Sequence, residues 1–132
     1  MKKIIPIIIV LVVVIAGVAV YFLVFNTDTE KPEVRVEYSP GDFFTTNVSD
    51  TTRLLKAGII LIVNENGLEE KLNKENARIR DTIIFILRSL TEAEIRAPGT
   101  QDILRGRIIE ALNERLEVEY FVEVLFNDFV MA

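Results

Sequence analysis

The sequence contains neither cysteine nor histidine among its 132 residues. Without cysteine the chain can form no disulfide and no thiolate metal site. Without histidine it lacks the commonest general base, the commonest zinc ligand and every Ser–His or Cys–His dyad. Pairs of carboxylates remain as possible catalytic groups, but the acidic residues are scattered along apparent surface faces. The composition therefore predicts a protein that is not an enzyme and that uses no metal and no cofactor.

Charged residues are also absent from the long run between Ile4 and Phe25. A helix over this run would be about 33 Å long, against a hydrocarbon core of about 30 Å. We therefore predict an uncleaved membrane anchor. The alternative is a cleaved signal peptide, because the small residues at 16–19 would suit a peptidase. The apolar part of a signal peptide is usually only about 7–15 residues long, however, which favours the anchor.

The charges on either side of the run predict its orientation. Lys2 and Lys3 precede it, whereas acidic residues begin at Asp28 on the far side. Basic flanks stay in the cytoplasm. We therefore expect a single-pass inner (cytoplasmic) membrane protein whose N-terminus is cytoplasmic and whose remaining chain is periplasmic or otherwise extracytoplasmic.

The chain after the anchor is acidic and has the size of one domain. It carries 13 basic and 20 acidic side chains, a net charge of −7, which disfavours binding to nucleic acid or anionic lipid. We divide the protein into a cytoplasmic tip and transmembrane anchor (1–25), a polar linker (26–33) and an extracytoplasmic α+β domain (34–132).

Four segments of this domain have patterns typical of β-strands. Residues 34–38 alternate between apolar and polar side chains, and residues 43–48 follow a Pro-Gly turn as an extended or edge segment. Residues 54–63 are typical of a central strand whose second face is polar early and apolar late. Residues 117–129 predict a long, half-buried, antiparallel strand. One face of that strand would hold Val118, Tyr120, Val122, Val124 and Phe126.

Apolar side chains at helical spacing predict helices between these strands. Residues 68–90 form the first, with a possible break at 73–76. Residues 83–87 are five successive apolar residues, which cannot all lie on one face of a helix. This helix is therefore either covered on two sides or offers an apolar surface to a partner. Thr91 fits a capping box for a short turn, and Thr100 would cap the next helix. The buried face of that helix is predicted to hold Ile103, Leu104, Ile108, Ala111, Leu112 and Leu116. The fold class is therefore α+β, with a small antiparallel sheet packed on helices behind one transmembrane helix.

The order of these segments resembles the FliL family of flagellar basal-body-associated membrane proteins. The segments that carry the resemblance are 40–48, 80–84 and 104–116, which follow one anchor and precede a strand at the C-terminal end. The resemblance covers nearly all of residues 38–131. The sequence departs from the family at Val48, where leucine is usual.

The resemblance implies a fold similar to stomatin and prohibitin domains. It also implies a non-enzymatic protein that self-associates in a ring around the ion-driven stator units of the flagellar motor and supports them, assisting torque and motility. Its partners would be other copies of the chain, the stator proteins and the membrane, through Ile4 to Phe25. The alternative is a stomatin-like membrane scaffold or binding module that has no connection with the flagellum.

Four residues in the resembling segments are candidate contacts with other copies or with a partner. Phe43 and Phe44 are adjacent, so in an extended segment one should enter the core and the other should face outward. Arg80 and Asp81 match a charged pair of the family. Two interpretations of this pair stay open, a subunit contact and a solvated face or local ion pair, which contributes about 0–1 kcal/mol when exposed.

Overall fold

The computed structural model describes residues 2–25 and 33–132. The chain divides into two compact units, Met1–Glu33 and Val34–Ala132, which we describe separately. The predicted linker, 26–33, lies outside the described residues apart from its last residue.

The first unit contains helix α1, Ile5–Phe25. No residue of the helix is charged, so the helix is apolar around its whole circumference, and none of its residues is buried within the unit. Among the described residues, α1 is the one helix long and apolar enough to cross a membrane, a property that a signal sequence near an N-terminus shares. Its length and composition match those of the predicted anchor.

The second unit combines four strands with four helices over its described residues. In chain order these are β1 (Val36–Tyr38), β2 (Phe44–Asn47), β3 (Leu54–Val63), α2 (Glu69–Lys74), α3 (Asn76–Arg88), α4 (Glu92–Arg96), α5 (Thr100–Leu116) and β4 (Phe121–Met131). All strand pairs are antiparallel, so the expected α+β class with a small antiparallel sheet is confirmed.

Strand β3 lies at the centre of the sheet, as its sequence predicted, and its ends coincide with the predicted bounds. The short strands β1 and β2 pair with successive parts of one edge of β3, and β4 pairs along the other edge. The second face of β3 also follows the expectation, because Leu54 and Lys56 are exposed whereas Ile62 is only 3% exposed.

The helices cover the other face of the sheet, and the core lies between the two layers. Side chains from β3, α3 and α5 supply most of it. Burial of one large aliphatic or aromatic side chain contributes about 1.5–3 kcal/mol. The largest fully buried side chains are Phe44, Phe121, Leu55, Ile59, Leu61, Leu72, Ile79, Ile83, Leu87, Leu90, Leu104 and Ile108.

Two features predicted from local sequence signals in the helices are confirmed. The first helical region breaks at Glu75, which separates α2 from α3. The Oγ1 atom of Thr91 accepts a hydrogen bond from the backbone N–H of Glu94, as expected for the N-cap of α4. The apolar run 83–87 is helical, as predicted, since it lies within α3.

Two predictions about α5 were wrong. Thr100 is the first residue of the helix rather than its cap, and its hydroxyl donates to the carbonyl oxygen of Glu94. Gly99, with φ of 85°, stands before the helix instead and makes no side-chain cap. Ile103 was expected in the buried face but is 67% exposed, because it points away from the stripe that contains Leu104.

The start of β4 also differs from the prediction. Residues 117–120 do not begin the strand, because α5 ends in a left-handed residue, Glu117 (φ 54°), and the N–H of Val118 bonds back to the carbonyl of Asn113. The side chain of Asn113 then donates to the carbonyl of Phe121 and accepts from its N–H. At its first residue, β4 therefore pairs with β3 on one edge, and the side chain of Asn113 takes the place of a strand on the other edge.

The predicted alternation along β4 is interrupted by two irregularities. The pairing with β3 shifts between Gly58 and Ile59, which skips Asn127, and between Ile62 and Val63, which skips Val122. Each extra residue reverses the order of inward and outward side chains. The residues of β4 that contact the core are Phe121, Val124, Phe126, Phe129 and Met131. Of the predicted face, Val118, Tyr120, Val124 and Phe126 do contact the core, and only Val122, which the pairing skips, is exposed.

Gly58 makes room for the bulge at Asn127. A Cβ atom at position 58 would lie 2.0 Å from the side-chain oxygen of Asn127 and 3.0 Å from its Cγ. We expect Gly58→Ala to destabilise the domain by about 1–3 kcal/mol, the usual cost of overpacking, as measured by denaturant unfolding of the full chain in detergent micelles.

Two further variants isolate this contact. Gly58→Ala combined with Asn127→Ala should recover most of the lost stability, because the clashing atoms are gone. Gly106→Ala should instead stabilise the domain by roughly 0.5–1 kcal/mol, since Gly106 is helical and nothing lies near its missing Cβ. A Gly58→Ala variant as stable as the parent would contradict this description of the bulge.

Candidate contact site

Arg80 of α3 clamps the loop between β1 and β2. Its Nη1 donates to the carbonyl oxygen of Pro40 at 3.1 Å and its Nη2 donates to that of Phe43 at 3.2 Å. Its guanidinium carbon lies 4.2 Å from the centroid of the Phe44 ring. One cation therefore holds two backbone carbonyls and one aromatic face, an arrangement that suits the planar, five-donor guanidinium group.

A second set of hydrogen bonds supports the same loop. The Nδ2 of Asn76 donates to the carbonyl of Pro40 at 3.0 Å and to the hydroxyl of Tyr38 at 2.9 Å. That hydroxyl donates in turn to the carbonyl of Leu72 at 3.1 Å. The loop is thus fixed to both α2 and α3.

Gly41 allows this close approach. Its φ is 150°, and a Cβ atom there would lie 2.1 Å from Nη1 of Arg80. Residues 40–41 and residues 80–81 are distant in sequence, but Arg80 brings the two segments into contact in the structure.

The structure separates the two adjacent phenylalanines that the sequence singled out. Phe44 is completely buried, whereas Phe43 is 44% exposed and lies on the outer face of the sheet. The ammonium nitrogen of Lys56 is 4.0 Å from the centroid of the Phe43 ring. Of the two rings, Phe43 is the one that a partner can reach, and its role in such a contact stays a prediction.

Arg80 and Asp81 do not act as a pair. Whereas Arg80 is directed to the loop, Asp81 forms an ion pair with Arg115 of α5 at 2.5 Å. Arg115 also donates to the hydroxyl of Thr82 at 3.2 Å. The side chain of Asp81 is 65% exposed, so this bridge contributes only about 0–1 kcal/mol. The partner role of both residues stays a prediction.

A groove between α3 and α5 was not predicted as a site. It is open and has a volume of about 600 Å³, and Phe85 stands beside it with 77% of its surface exposed. The signal for it in the sequence was the run 83–87, which has more successive apolar residues than one buried helix face can hold. The remaining lining residues are Asp81, Thr82, Ile86, Arg107, Glu110, Ala111, Glu114 and Arg115.

The outer face of the sheet carries a second exposed apolar area that sequence reasoning missed. Leu54 is 44% exposed and Val130 is 51% exposed. Both lie beside Lys56, because Lys56 is opposite Val130 in the register and two residues from Leu54. No periodic signal could indicate Val130, because its orientation depends on the bulges in β4.

Among the residues that the structure describes, one titratable group has a clearly shifted pKa. Burial raises the pKa of the Tyr120 hydroxyl above its ordinary value, and the negative charges of Glu75 and Glu65 raise it further. The hydroxyl stays neutral at physiological pH and has no hydrogen-bond partner among the described residues. Within 2–25 and 33–132, no group of acidic residues is arranged to hold a metal ion.

The clamp gives a direct stability prediction. Arg80→Ala should lower the free energy of unfolding of the full chain by about 2 kcal/mol, because two charge-assisted hydrogen bonds and the contact with the Phe44 ring are lost. Denaturant unfolding in detergent micelles measures this change.

Arg78→Ala is the matched control for this measurement. Arg78 lies on the same helix, but it is exposed and forms only an ion pair with Glu75. Its replacement should change stability by at most about 0.5 kcal/mol. Equal effects of the two alanine substitutions would show that the loop does not depend on Arg80.

Comparison with known proteins assigns the chain to a family. A family model described as flagellar basal body-associated protein FliL matches residues 38–131, from the residue whose hydroxyl Asn76 contacts to the end of β4. The flagellar protein FliL of Aquifex aeolicus (strain VF5) is 32% identical over 103 residues, which are 76% of this chain and 63% of that protein. The chain thus spans slightly less than two thirds of the length of this relative. The chain belongs to the FliL family of flagellar basal body-associated proteins.

Proposed function

We propose that this protein is a non-enzymatic, membrane-anchored component of the flagellar basal body that self-associates around the stator units and supports them. The observation that carries the proposal is the family match over residues 38–131, which includes β2, β3, β4 and every described helix of the second unit, together with the last residue of β1. The flagellar protein FliL of Aquifex aeolicus, which is similar in sequence to this chain, supports the same family assignment. The self-association and the stator contact go beyond the family assignment and belong to the proposal.

The anchor determines where the protein works. Helix α1 has the length and composition to cross a bilayer once, and Lys2 and Lys3 precede it. By the positive-inside rule, the N-terminus lies in the cytoplasm and the domain 34–132 lies outside the inner membrane. This orientation supports the proposed stator contact, because it keeps the domain at the membrane surface where that contact would form.

A role in contact rather than catalysis agrees with the surface of the domain. Its open groove is bordered by an exposed aromatic side chain and by charges of both signs. Exposed aromatic and arginine side chains are typical of protein interfaces. The fold relationship to stomatin and prohibitin domains, expected from the resemblance, is part of this proposal.

The second candidate function is a stomatin-like membrane scaffold that does not act at the flagellum. The anchor and the exposed surfaces fit this function equally well, because neither feature identifies the partner. The two functions differ in the phenotype that follows loss of the protein.

We expect a strain that lacks the gene to assemble its filaments but to produce less torque, with weaker motility under load. The physical reason is that the stator units lose a supporting contact while the filament loses none. Measurement of the torque of tethered or bead-loaded motors, with filaments counted by microscopy, tests this.

Complementation supplies the control. The intact chain and the Arg78→Ala variant should both restore torque, since Arg78 forms only an exposed ion pair. Unchanged motor output under load in the deletion strain would contradict the stator role and favour the scaffold.

A further inference from the structure

Among the described residues of the domain, six large apolar side chains are exposed; one is Val122, at 36%, and the other five lie on the two opposite faces of the domain. On the helix layer they are Phe85 and Ile103, which are 77% and 67% exposed. On the outer face of the sheet they are Phe43, Leu54 and Val130. Exposed apolar groups that cluster in this way mark interaction sites.

The helix layer presents a continuous surface, which we call the helix surface. Ile103, Arg107, Glu110 and Glu114 follow one another at spacings of four, three and four residues, so they lie on one side of α5. Three of them also line the groove beside Phe85. The helix surface therefore combines two apolar side chains with one basic and two acidic ones.

The sheet presents a comparable surface, which we call the sheet surface. Lys56 lies opposite Val130, and Asp128 lies opposite Gly58 on the same side of the sheet. Phe43 joins them through its contact with Lys56, and Leu54 is their neighbour along β3. The sheet surface therefore combines three apolar side chains with one basic and one acidic one.

The charges on both surfaces have no ion-pair partner among the described residues. Arg107, Glu110 and Glu114 form no salt bridge, and neither do Lys56 and Asp128. The two surfaces could form ion pairs with each other. The glutamates of the helix surface can pair with Lys56, and its arginine can pair with Asp128. A helix surface placed against another helix surface would instead bring four glutamates together with only two arginines, and this excess of negative charge costs free energy.

We propose that the helix surface of one copy of this chain docks on the sheet surface of the next copy. This inference rests on the self-association in the proposed function and specifies the surfaces that produce it. Because the two surfaces differ, the contact is heterologous, and repeated contacts build a ring or an open filament rather than a closed dimer. The apolar side chains form the centre of the contact, and the charges fix its orientation.

The absence of cysteine makes a crosslinking test direct. The full chain would carry Phe85→Cys and Val130→Cys together, be expressed in membranes and be oxidised. Both residues are exposed, and they lie on opposite layers of the domain, too far apart for a disulfide within one chain. We expect a ladder of dimers, trimers and larger species. Each single-cysteine variant alone should give none, and the two single variants expressed together should give only dimers.

Three further variants define the controls. Glu69→Cys with Val130→Cys should give no ladder, because Glu69 is exposed on α2, away from both surfaces. Lys56→Glu should reduce the yield of the ladder on the order of tenfold, since it replaces an attraction with a repulsion. Lys56→Arg should preserve the ladder because it preserves the charge.

The outcomes separate this inference from the proposed function. A crosslinked dimer from Phe85→Cys alone would overturn the heterologous arrangement. A multimeric mass of the unmodified chain in detergent, without any ladder, would overturn these surfaces but leave self-association intact. A monomeric mass at all concentrations would overturn self-association and therefore both proposals.

Discussion

The pairing of β3 on both of its edges is the constraint on which the rest of the domain depends. Its inward face supplies Leu55, Ala57, Ile59, Leu61 and Val63 to the core, all of them buried. One edge holds two short strands in line, and the other holds the long terminal strand. Because β3 cannot shift by one residue without moving its apolar side chains to the opposite face, it fixes the register of every other strand.

The clamp by Arg80 attaches the loop between β1 and β2 to this framework. β1 pairs with β3 over three residues only, and the loop that follows has no strand partner of its own. Hydrogen bonds from Arg80 and Asn76 replace that pairing and tie the loop to α3. The same loop leads to Phe43, so the clamp also sets the position of one exposed aromatic side chain on the sheet surface.

The sequence predicted those parts of the fold that depend on local signals. Three such features agree with the structure: the bounds of β3, the break at Glu75 and the cap at Thr91. Each depends only on residues that are close together in the sequence. The bulges of β4 depend on contacts across the sheet, above all on the space beside Gly58, and no local pattern contains that information. For the same reason the candidate site was only partly predictable: Arg80 was selected, but its contact with the Pro-Gly loop was not, and the exposed Val130 was missed.

On the proposed account, the protein acts through contacts made by a domain that a single helix keeps at the membrane. The most direct test replaces Ile5–Phe25 in a deletion strain, either with an unrelated membrane-spanning helix or with a cleavable secretion signal that releases the domain, and measures swimming in viscous medium. The account predicts that the unrelated helix restores swimming and that the exported, folded but untethered domain does not. Equal restoration by the released domain would contradict it.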